Sequence, residues 1–319
     1  MRRDFLLAVP AILVAALLPF FLGNFTLRTA TDILIYAILA SSWNLIGGYT
    51  GYASFGNVVF FGVGAYAAGI AMSVLDLGFI PALLIGGFAS GGFGYLVGLP
   101  ILRLKGHYFA IATLGLAEAT KAMVQNLGIT EGNSGMYLPT PDLSVDASYR
   151  FFYYISLAVL LVLLFATRTL MRGKFGFGLI AIREDEDAAA AIGVNTTLFK
   201  CLAFAMNGLF SGLAGAIYAY QQGFIKPEPV FAVTRTVKMI IMAVFGGTGS
   251  LLGPTLGAVT IETIEHLLSA HFLIIHALFF GAIVILAILF LPKGIMDILG
   301  SRRKIGIAYF LNNIRKNRV

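Results

Sequence analysis

The chain has 319 residues, of which 59% are hydrophobic and only 12% charged, and its mean hydropathy is +0.89. Soluble globular proteins carry about 25% charged residues, so this composition excludes a chain whose surface lies mostly in water. The net charge of +7 does not indicate nucleic-acid binding, because the basic residues lie between apolar runs and form no patch interleaved with aromatic residues.

The apolar runs are long enough to cross a bilayer core of about 30 Å, which takes roughly 17 to 25 helical residues. Backbone groups in lipid must be bonded within their own segment, and the runs lack the alternation of barrel strands, so each run is predicted to be a helix. The sequence predicts an all-α polytopic membrane protein with about ten transmembrane helices in a single domain, residues 1–319. The predicted spans are 5–22, 30–46, 53–75, 79–99, 107–125, 151–167, 199–220, 230–245, 252–270 and 274–291.

The first span follows a basic start at Arg2 and Arg3, which is also typical of a secretory signal peptide. Its apolar run exceeds the usual length of about 7 to 15 residues, and no small-x-small cleavage site follows in residues 23–27. We therefore expect this segment to be retained as a membrane span.

Orientation follows from the basic residues, since cytoplasmic loops retain an excess of Lys and Arg. With the N-terminus inside, sixteen of the 22 basic residues fall in cytoplasmic segments and six fall outside or within the membrane. We expect a multi-pass membrane protein with both termini cytoplasmic, a cytoplasmic loop at 168–200 and a cytoplasmic tail at 292–319. The outer loop 126–150, rich in Gly, Pro and Asp, is expected to form a lid or docking surface.

The inner loop contains four consecutive acids from Glu184 to Asp187, then an alanine run and Gly193. Acids in a first turn meet the positive end of the helix dipole, alanine favours helix, and glycine suits a C-terminal stop, so a short helix is predicted. It is either an exposed, solvated helix or a coupling helix that seats on a separate ATPase. The candidate coupling residues are Arg183, Glu184, Asp185, Glu186, Asp187, Ala188, Ala189 and Gly193.

Glycine clusters flank two of the predicted spans, around Gly47 and Gly48 and around Gly246 and Gly247. Small residues allow broken helices that expose backbone groups to a solute, although tight turns and close packing explain them equally. Charged residues within the membrane are also functional candidates, but Glu118 and Lys121 are three residues apart and can neutralise each other. The candidate translocation residues are Asn44, Gly47, Gly48, Ser54, Asn57, Glu118, Gly246 and Gly247; Glu262, Glu265 and His266 are further pathway candidates.

No residue pattern indicates catalysis or metal binding. The only Gly-Lys pair lacks the preceding glycine of a nucleotide-binding loop, and no Gly-x-Ser-x-Gly motif occurs. His266, His271 and His276 are five residues apart and share no helix face, and one cysteine, Cys201, excludes an intramolecular disulfide. We expect no catalytic residue, no metal and no cofactor bound by this chain.

Several segments resemble known transporter sequences. Asp187-Ala188-Ala189, followed after three residues by Gly193, is similar to the cytoplasmic Glu-Ala-Ala-x-x-x-Gly core of bacterial ABC import permeases. Four blocks resemble the permease of branched-chain amino acid ABC transporters, the LivM type. They are ATDILIYAILASSWNLIGGYTGYASFGNVVFFGVGAY from residue 30, LRLKGHYFAIATLGLAEATK from 102, AIREDEDAAAAIGVN from 181 and FGGTGSLLGPTLGA from 245.

The resemblance implies an ABC importer permease fold with a cytoplasmic coupling helix, embedded in the lipid of a bacterial inner (plasma) membrane. It also implies a second homologous permease subunit, two cytoplasmic ATPase subunits that use ATP, and an extracytoplasmic solute-binding protein. The expected solutes are branched-chain or other amino acids. Asn57 stands where the family often has His, and urea or short amides remain alternative solutes. An ATP-independent secondary transporter and an intramembrane enzyme are the alternative functions.

Overall fold

The computed structural model describes residues 14–271, 281 and 294–296. In this part of the chain the helices are α1 (Asn24–Ile46), α2 (Val58–Ser73), α3 (Phe79–Ile101), α4 (Gly106–Asn126), α5 (Val145–Met171), α6 (Lys174–Glu184), α7 (Glu186–Ala191), α8 (Thr196–Gln222), α9 (Pro227–Val230), α10 (Val233–Gly246) and α11 (Gly253–His271). Short 3₁₀ turns lie at Leu18–Phe20, Gly128–Thr130 and Gly132–Ser134, and two strands, β1 (Met136–Tyr137) and β2 (Phe224–Ile225), have two residues each.

Five helical stretches in the described part are long and apolar enough to cross a membrane. They are α1, α3, α5, α8 and the stretch Pro227–Gly246, while α2 is a shorter apolar helix. The all-α prediction is confirmed. The count of about ten spans is not confirmed. The helices at the predicted spans 107–125 and 252–270, α4 and α11, are not among the five stretches. Residues 5–13 of the first predicted span and nearly all of 274–291 and 292–319 lie outside the described residues.

The centre of the bundle is formed by α1, α2, α3 and α8, which pack through small residues. A Cβ on Gly86 of α3 would lie 2.6 Å from the carbonyl oxygen of Gly64 on α2, and one on Gly208 of α8 would lie 2.8 Å from the Ser90 carbonyl oxygen on α3. Such small-residue contacts let helix backbones approach closely where lipid provides no hydrophobic driving force. The four helices therefore form one tightly packed unit.

Two further layers flank α1. On one side α10 and α11 form a helical hairpin, and Ser41 of α1 shares a hydrogen bond of 3.1 Å with Thr255 of α11. On the other side α5 packs against α1, and the Tyr153 hydroxyl donates to the Ala15 carbonyl oxygen at 2.7 Å. α1 is thus surrounded by helices, which explains why its second half is almost entirely buried.

The two ends of the bundle differ. At one end β1 and β2 pair antiparallel, with Met136 opposite Ile225 and Tyr137 opposite Phe224. This ribbon fastens the predicted outer loop to the connection that follows α8, and Ser73 Oγ donates to the Tyr137 carbonyl oxygen at 2.9 Å. We call this the ribbon end. The opposite end carries the two short helices α6 and α7, and we call it the α6–α7 end.

The helix predicted over 53–75 begins later than expected, at Val58, and ends at Ser73. Side chains satisfy the backbone of the segment before it: Trp43 Nε1 donates to the Ser54 carbonyl oxygen at 2.8 Å, and the Phe55 N–H donates to Thr113 Oγ1 at 3.1 Å. Because these groups already have partners, residues 53–57 need no helix to satisfy their backbone.

The helix predicted over 230–245 is broken, with α9 ending at Val230 and α10 beginning at Val233. The fully buried Phe231 lies at the break and stacks on Tyr66 of α2, with ring centroids 6.1 Å apart. Two other helices are longer than predicted. α1 begins six residues before the predicted span 30–46, and α5 extends beyond 151–167 at both ends. Ser144 begins α5, since its Oγ accepts from the Ala147 N–H at 3.4 Å.

Candidate functional site

The predicted inner loop folds as two helices, α6 and α7, where the sequence indicated one. Arg183 and Glu184, expected in the acidic helix, belong instead to the end of α6. The glycines of this segment did not suggest a helix, but they serve packing: a Cβ on Gly178 would lie 2.6 Å from Cδ1 of Phe199. α6 can therefore lie directly on the first turn of α8.

The acidic residues and alanines do form the helix α7, Glu186–Ala191. Asp185 begins it, because its Oδ1 accepts hydrogen bonds of 2.9 Å from the N–H groups of Asp187 and Ala188. Gly193 follows the helix with φ of +91°, a left-handed conformation that glycine adopts without strain. Ala188 is exposed and Ala189 is buried, so one side of this short helix faces the bundle.

Glu186 of α7 is bound to a buried cation. Lys200 is 3% exposed, and its Nζ donates to Glu186 Oε1 at 2.6 Å and to the Leu102 carbonyl oxygen at 2.8 Å. The Tyr52 hydroxyl accepts from Lys200 at 3.1 Å and donates to Glu186 Oε2. Burial alone would raise the pKa of Glu186, but the hydrogen bonds from Lys200 and Tyr52 outweigh it and hold the pKa below its ordinary value. The carboxylate is therefore ionised and fixed.

Asp187 makes a second, exposed ion pair with Lys105, which lies just before α4, at 2.8 Å. The hydrogen bond from Lys105 lowers the pKa of Asp187, and the same bond raises the pKa of Lys105. Both side chains are exposed, so water and salt screen this pair. It adds a second contact between α7 and the bundle.

Arg183 joins the loop to the first glycine turn. Its Nη1 donates to the carbonyl oxygen of Gly48 at 2.8 Å. The turn is linked in its own right to the α10–α11 connection through Asn44, whose Oδ1 accepts from the Gly249 N–H at 2.8 Å and whose Nδ2 donates to the Ser250 carbonyl oxygen at 2.9 Å. The structure thus brings together one predicted coupling residue and two predicted pathway residues at the α6–α7 end.

The predicted pathway glycines are engaged in packing. Gly47 lies against the ring of Trp43, a Cβ on Gly48 would lie 2.7 Å from the Gly249 nitrogen, and one on Gly246 would lie 3.0 Å from the Gly257 nitrogen. Gly247 ends α10 with φ of +116°. These contacts favour the turn-and-packing interpretation of the glycines over direct solute contact.

Asn57 belongs to a buried hydrogen-bond network at the crossing of four helices. Its Oδ1 accepts from Asn207 Nδ2, and its Nδ2 lies 3.4 Å from Ser211 Oγ and 3.3 Å from Met239 Sδ. Ser211 Oγ also donates to Asn207 Oδ1 at 3.3 Å and pairs with Ser42 Oγ at 2.9 Å. The network links α1, the start of α2, α8 and α10, and its polar atoms already have protein partners. Sequence reasoning found Asn57 but not its partners, which are distant in the chain.

The remaining pathway candidates lie apart from this network. Ser54 is buried, and its hydroxyl has no hydrogen-bond partner in the described part of the chain. Glu118 is on the surface of α4 with its side chain 57% exposed, and it forms an ion pair of 2.6 Å with Lys121. The structure therefore does not bring Glu118 together with the other candidates.

The ribbon end contains a cluster of charges between α10, α11 and α1. Lys238 Nζ lies 2.7 Å from Glu262 Oε2 and 2.8 Å from Glu265 Oε2. His266, the third pathway candidate on α11, shares a hydrogen bond of 2.6 Å with Thr29 of α1. The sequence indicated both acids as pathway candidates, but not that they pair with Lys238 across the hairpin.

The outward side of α6 and α7 exposes large apolar side chains. Phe177 is 69% exposed and Ile192 is 78% exposed, and they lie among the exposed acids Glu184 and Asp185. Together with the inward contacts of Arg183, Glu186 and Asp187, this gives a segment that is attached to the bundle on one side and open on the other. A mixed apolar and acidic surface of this kind is suited to protein docking.

Comparison with known proteins finds one family over most of the chain. The model of the branched-chain amino acid transport system permease component matches residues 25–289. The high-affinity branched-chain amino acid transport system permease protein LivM of Salmonella typhimurium is 30% identical over 95% of this chain and 77% of its own length. The probable LivM protein of Methanocaldococcus jannaschii is 26% identical over 82% of this chain and 90% of its own length.

A relative with a different named solute also matches. The autoinducer 2 import system permease protein LsrC of Yersinia enterocolitica is 28% identical over 65% of this chain and 58% of its own length. No solved structure matches the chain.

Proposed function

The chain belongs to the branched-chain amino acid transport system permease family, and on that premise we propose that it is the membrane permease subunit of an ATP-driven amino acid importer. As a member of this family it is a multi-pass membrane transport component. To this the proposal adds ATP as the energy source, import as the direction of transport and amino acids as the solute. It assigns α6 and α7 as the segment on which a cytoplasmic ATPase subunit acts, which makes the α6–α7 end cytoplasmic.

The observation that supports this assignment is the two-sided character of the α6–α7 segment. Inward, Arg183 bonds the Gly48 turn and Glu186 bonds the buried Lys200. Outward, Phe177 and Ile192 are exposed. A force applied to the exposed side reaches α1 and α8 through these bonds, because Gly48 follows α1 and Lys200 lies on α8. It also reaches α4 through the ion pair of Lys105, which precedes that helix. Moving a two-state bundle from 1:99 to 99:1 takes about 5.5 kcal/mol of differential binding, which ATP binding by partner subunits would supply.

The proposed partners are two ATPase subunits on the α6–α7 segment, a second homologous permease subunit beside this one, and a solute-binding protein at the ribbon end. The ribbon end is suited to the last role, because β1–β2 holds residues 126–150 over the end of the bundle. The proposed solutes are leucine, isoleucine and valine. Urea and short amides remain the competing solutes, since relatives in this family are named for different cargoes.

A paired substitution tests the docking surface. Ile192→Asp places a charge on the exposed apolar face of the α6–α7 segment, and Val145→Asp places the same charge on an exposed residue of the ribbon end, where Val145 is 68% exposed. We expect Ile192→Asp to lower the amount of ATPase subunit that co-purifies from native membranes by roughly tenfold or more, as for an interface anchor. We expect Val145→Asp to leave it unchanged.

Uptake of labelled leucine by cells carrying the chain provides the second measurement, with isoleucine, valine and urea as competitors. Loss of ATPase recovery and of uptake in the Ile192 variant, with ATPase recovery retained in the Val145 variant, supports the proposal. Equal ATPase recovery and uptake in both variants and the wild type would reject the docking assignment. Competition by urea but not by isoleucine or valine would reject the amino acid solute.

A further inference from the structure

Arg235 occupies an aromatic site at the ribbon end. Its guanidinium carbon lies 4.7 Å from the ring centroid of Phe61 on α2, 4.9 Å from that of Tyr218 on α8 and 5.9 Å from that of Tyr36 on α1. Rings from three helices therefore face one cation that α10 provides. Such contacts stabilise a guanidinium and leave its N–H donors for other partners.

Arg235 has no carboxylate partner among the described residues, although a partly buried cation ordinarily pairs with one. Lys238, three residues later on α10, contacts both Glu262 and Glu265. Among the residues that the structure describes, no carboxylate lies within ion-pair distance of Arg235. Its one hydrogen bond is a 3.5 Å contact with the Pro229 carbonyl oxygen, and its buried Nε has no partner there. A guanidinium has five donors, so most of its capacity is unused.

Two other buried polar groups near these elements also lack partners within the described residues. The Tyr66 hydroxyl is unpaired although the side chain is 97% buried, and the Tyr66 ring stacks on Phe231, which precedes α10. The side-chain amide of Gln221, three residues after Tyr218 on α8, is unpaired at both its oxygen and its nitrogen. Buried polar groups are ordinarily hydrogen-bonded, so α2, α8 and α10 each carry a buried polar group that can still bond to a ligand.

We propose that Arg235 binds the carboxylate of the transported solute, at a site on the ribbon side of the bundle. A carboxylate accepts two parallel hydrogen bonds from a guanidinium, the geometry that Arg favours over Lys. The rings of Phe61 and Tyr218 provide apolar surface for the side chain of the solute. The ligand class is a small amphipathic carboxylic acid such as an aliphatic amino acid. This inference rests on the proposed function, because it names the group that holds the solute of that importer.

The binding test compares leucine with leucinamide, which has the same side chain and amino group but no carboxylate. The complex is purified from native membranes into lipid nanodiscs, and equilibrium binding of both labelled compounds is measured. We expect the wild type to prefer leucine by roughly tenfold to a hundredfold, the range of a charge-assisted hydrogen bond. Arg235→Gln should reduce this preference to near unity, and Arg235→Lys should retain part of it.

The control is Arg28→Gln. Arg28 is also an arginine at the ribbon end, but it is exposed on the first turns of α1. Its removal should leave the preference for leucine unchanged. A loss of preference in both Arg variants would assign the effect to general electrostatics and overturn the specific role of Arg235.

A measurement on the wild type does not depend on a folded variant. Phenylglyoxal modifies guanidinium groups, and the modified fraction of Arg235 can be read by mass spectrometry. We expect leucine to protect Arg235 and leucinamide to protect it much less. Equal protection by both compounds, or an unchanged preference in Arg235→Gln, overturns the inference while uptake by the wild type leaves the proposed function intact. A wild-type complex that transports no amino acid overturns both.

Discussion

Lys200 and Arg235 are both cations within the helical bundle, but their surroundings differ. Lys200, at the α6–α7 end, has a carboxylate, a carbonyl oxygen and a hydroxyl as partners. Arg235, at the ribbon end, has aromatic rings and one long contact with a carbonyl oxygen. A charge that is taken out of water by burial is costly unless it is paired. For Lys200 the protein itself provides the compensating carboxylate, that of Glu186. For Arg235 we propose that the carboxylate of the solute provides it.

The largest effect is expected from breaking the ion pair between Lys200 and Glu186. Glu186→Gln removes the carboxylate and leaves a buried ammonium group without its counter-charge, which destabilises by about 3 kcal/mol. We expect a lower midpoint of thermal unfolding in detergent and a loss of uptake. Glu184→Gln removes an exposed acid two residues away and is the matched control for stability, with no expected change in the midpoint of thermal unfolding.

The double variant Glu186→Gln with Lys200→Met sharpens this test. Removing both charges eliminates the unpaired ammonium group, so we expect the double variant to recover part of the stability lost in Glu186→Gln. If the double variant is less stable than Glu186→Gln, the unpaired ammonium group does not cause the loss of stability. The contrast between a paired Lys200 and an unpaired Arg235 then fails.

A smaller effect is expected from two buried hydroxyls that extend the comparison to neutral groups. Ser211 on α8 bonds Ser42 and Asn207 and accepts from Asn57, whereas the Ser156 hydroxyl on α5 has no partner in the described part of the chain. Ser211→Ala should cost about 1 to 2 kcal/mol, since it leaves polar partners unsatisfied in the bundle. Ser156→Ala should cost nothing measurable. Thermal unfolding of the two variants gives the comparison, and equal losses would contradict it.

The smallest effect is expected at the exposed pair. Asp187→Asn removes the ion pair with Lys105, but both side chains are exposed and the interaction is screened. We expect no shift in thermal unfolding and no change in ATPase co-purification at physiological salt. A loss as large as that of Glu186→Gln would show that exposure does not distinguish these two contacts of α7.

The helical architecture could be predicted because long apolar runs have few alternatives in lipid. The predicted helix bounds that differ from the structure lie where contacts with distant residues replace the backbone hydrogen bonds of a helix. Residues 53–57 lie outside the helix, where Trp43 and Thr113 satisfy backbone groups of this segment. α10 is separated from α9 at Phe231, which stacks on Tyr66. α6 was missed because its glycines suggest a loop until Phe199 is seen to fill the space beside Gly178.

The candidate site was predicted one residue at a time and not as pairs. The acids of α7 were evident from helix propensity and the dipole, but the partner of Glu186 is 14 residues away and that of Arg183 is 135 residues away. In both pairs the two residues lie on different elements of the fold, so the periodicity of one helix cannot reveal the pairing. The same holds for Lys238 with Glu262, which meet only because α10 and α11 form a hairpin. Such pairings become visible only when the packing of the helices is known.

Trp43 is the only tryptophan in the sequence, and its position has a practical consequence. Its indole is buried, bonds the Ser54 carbonyl oxygen and lies beside Gly47, next to the turn that Arg183 holds. The chain therefore contains its single tryptophan beside the contact between the α6–α7 segment and the turn that follows α1. The emission wavelength and quenching of Trp43 report on that contact without a dye, a tag or an introduced cysteine.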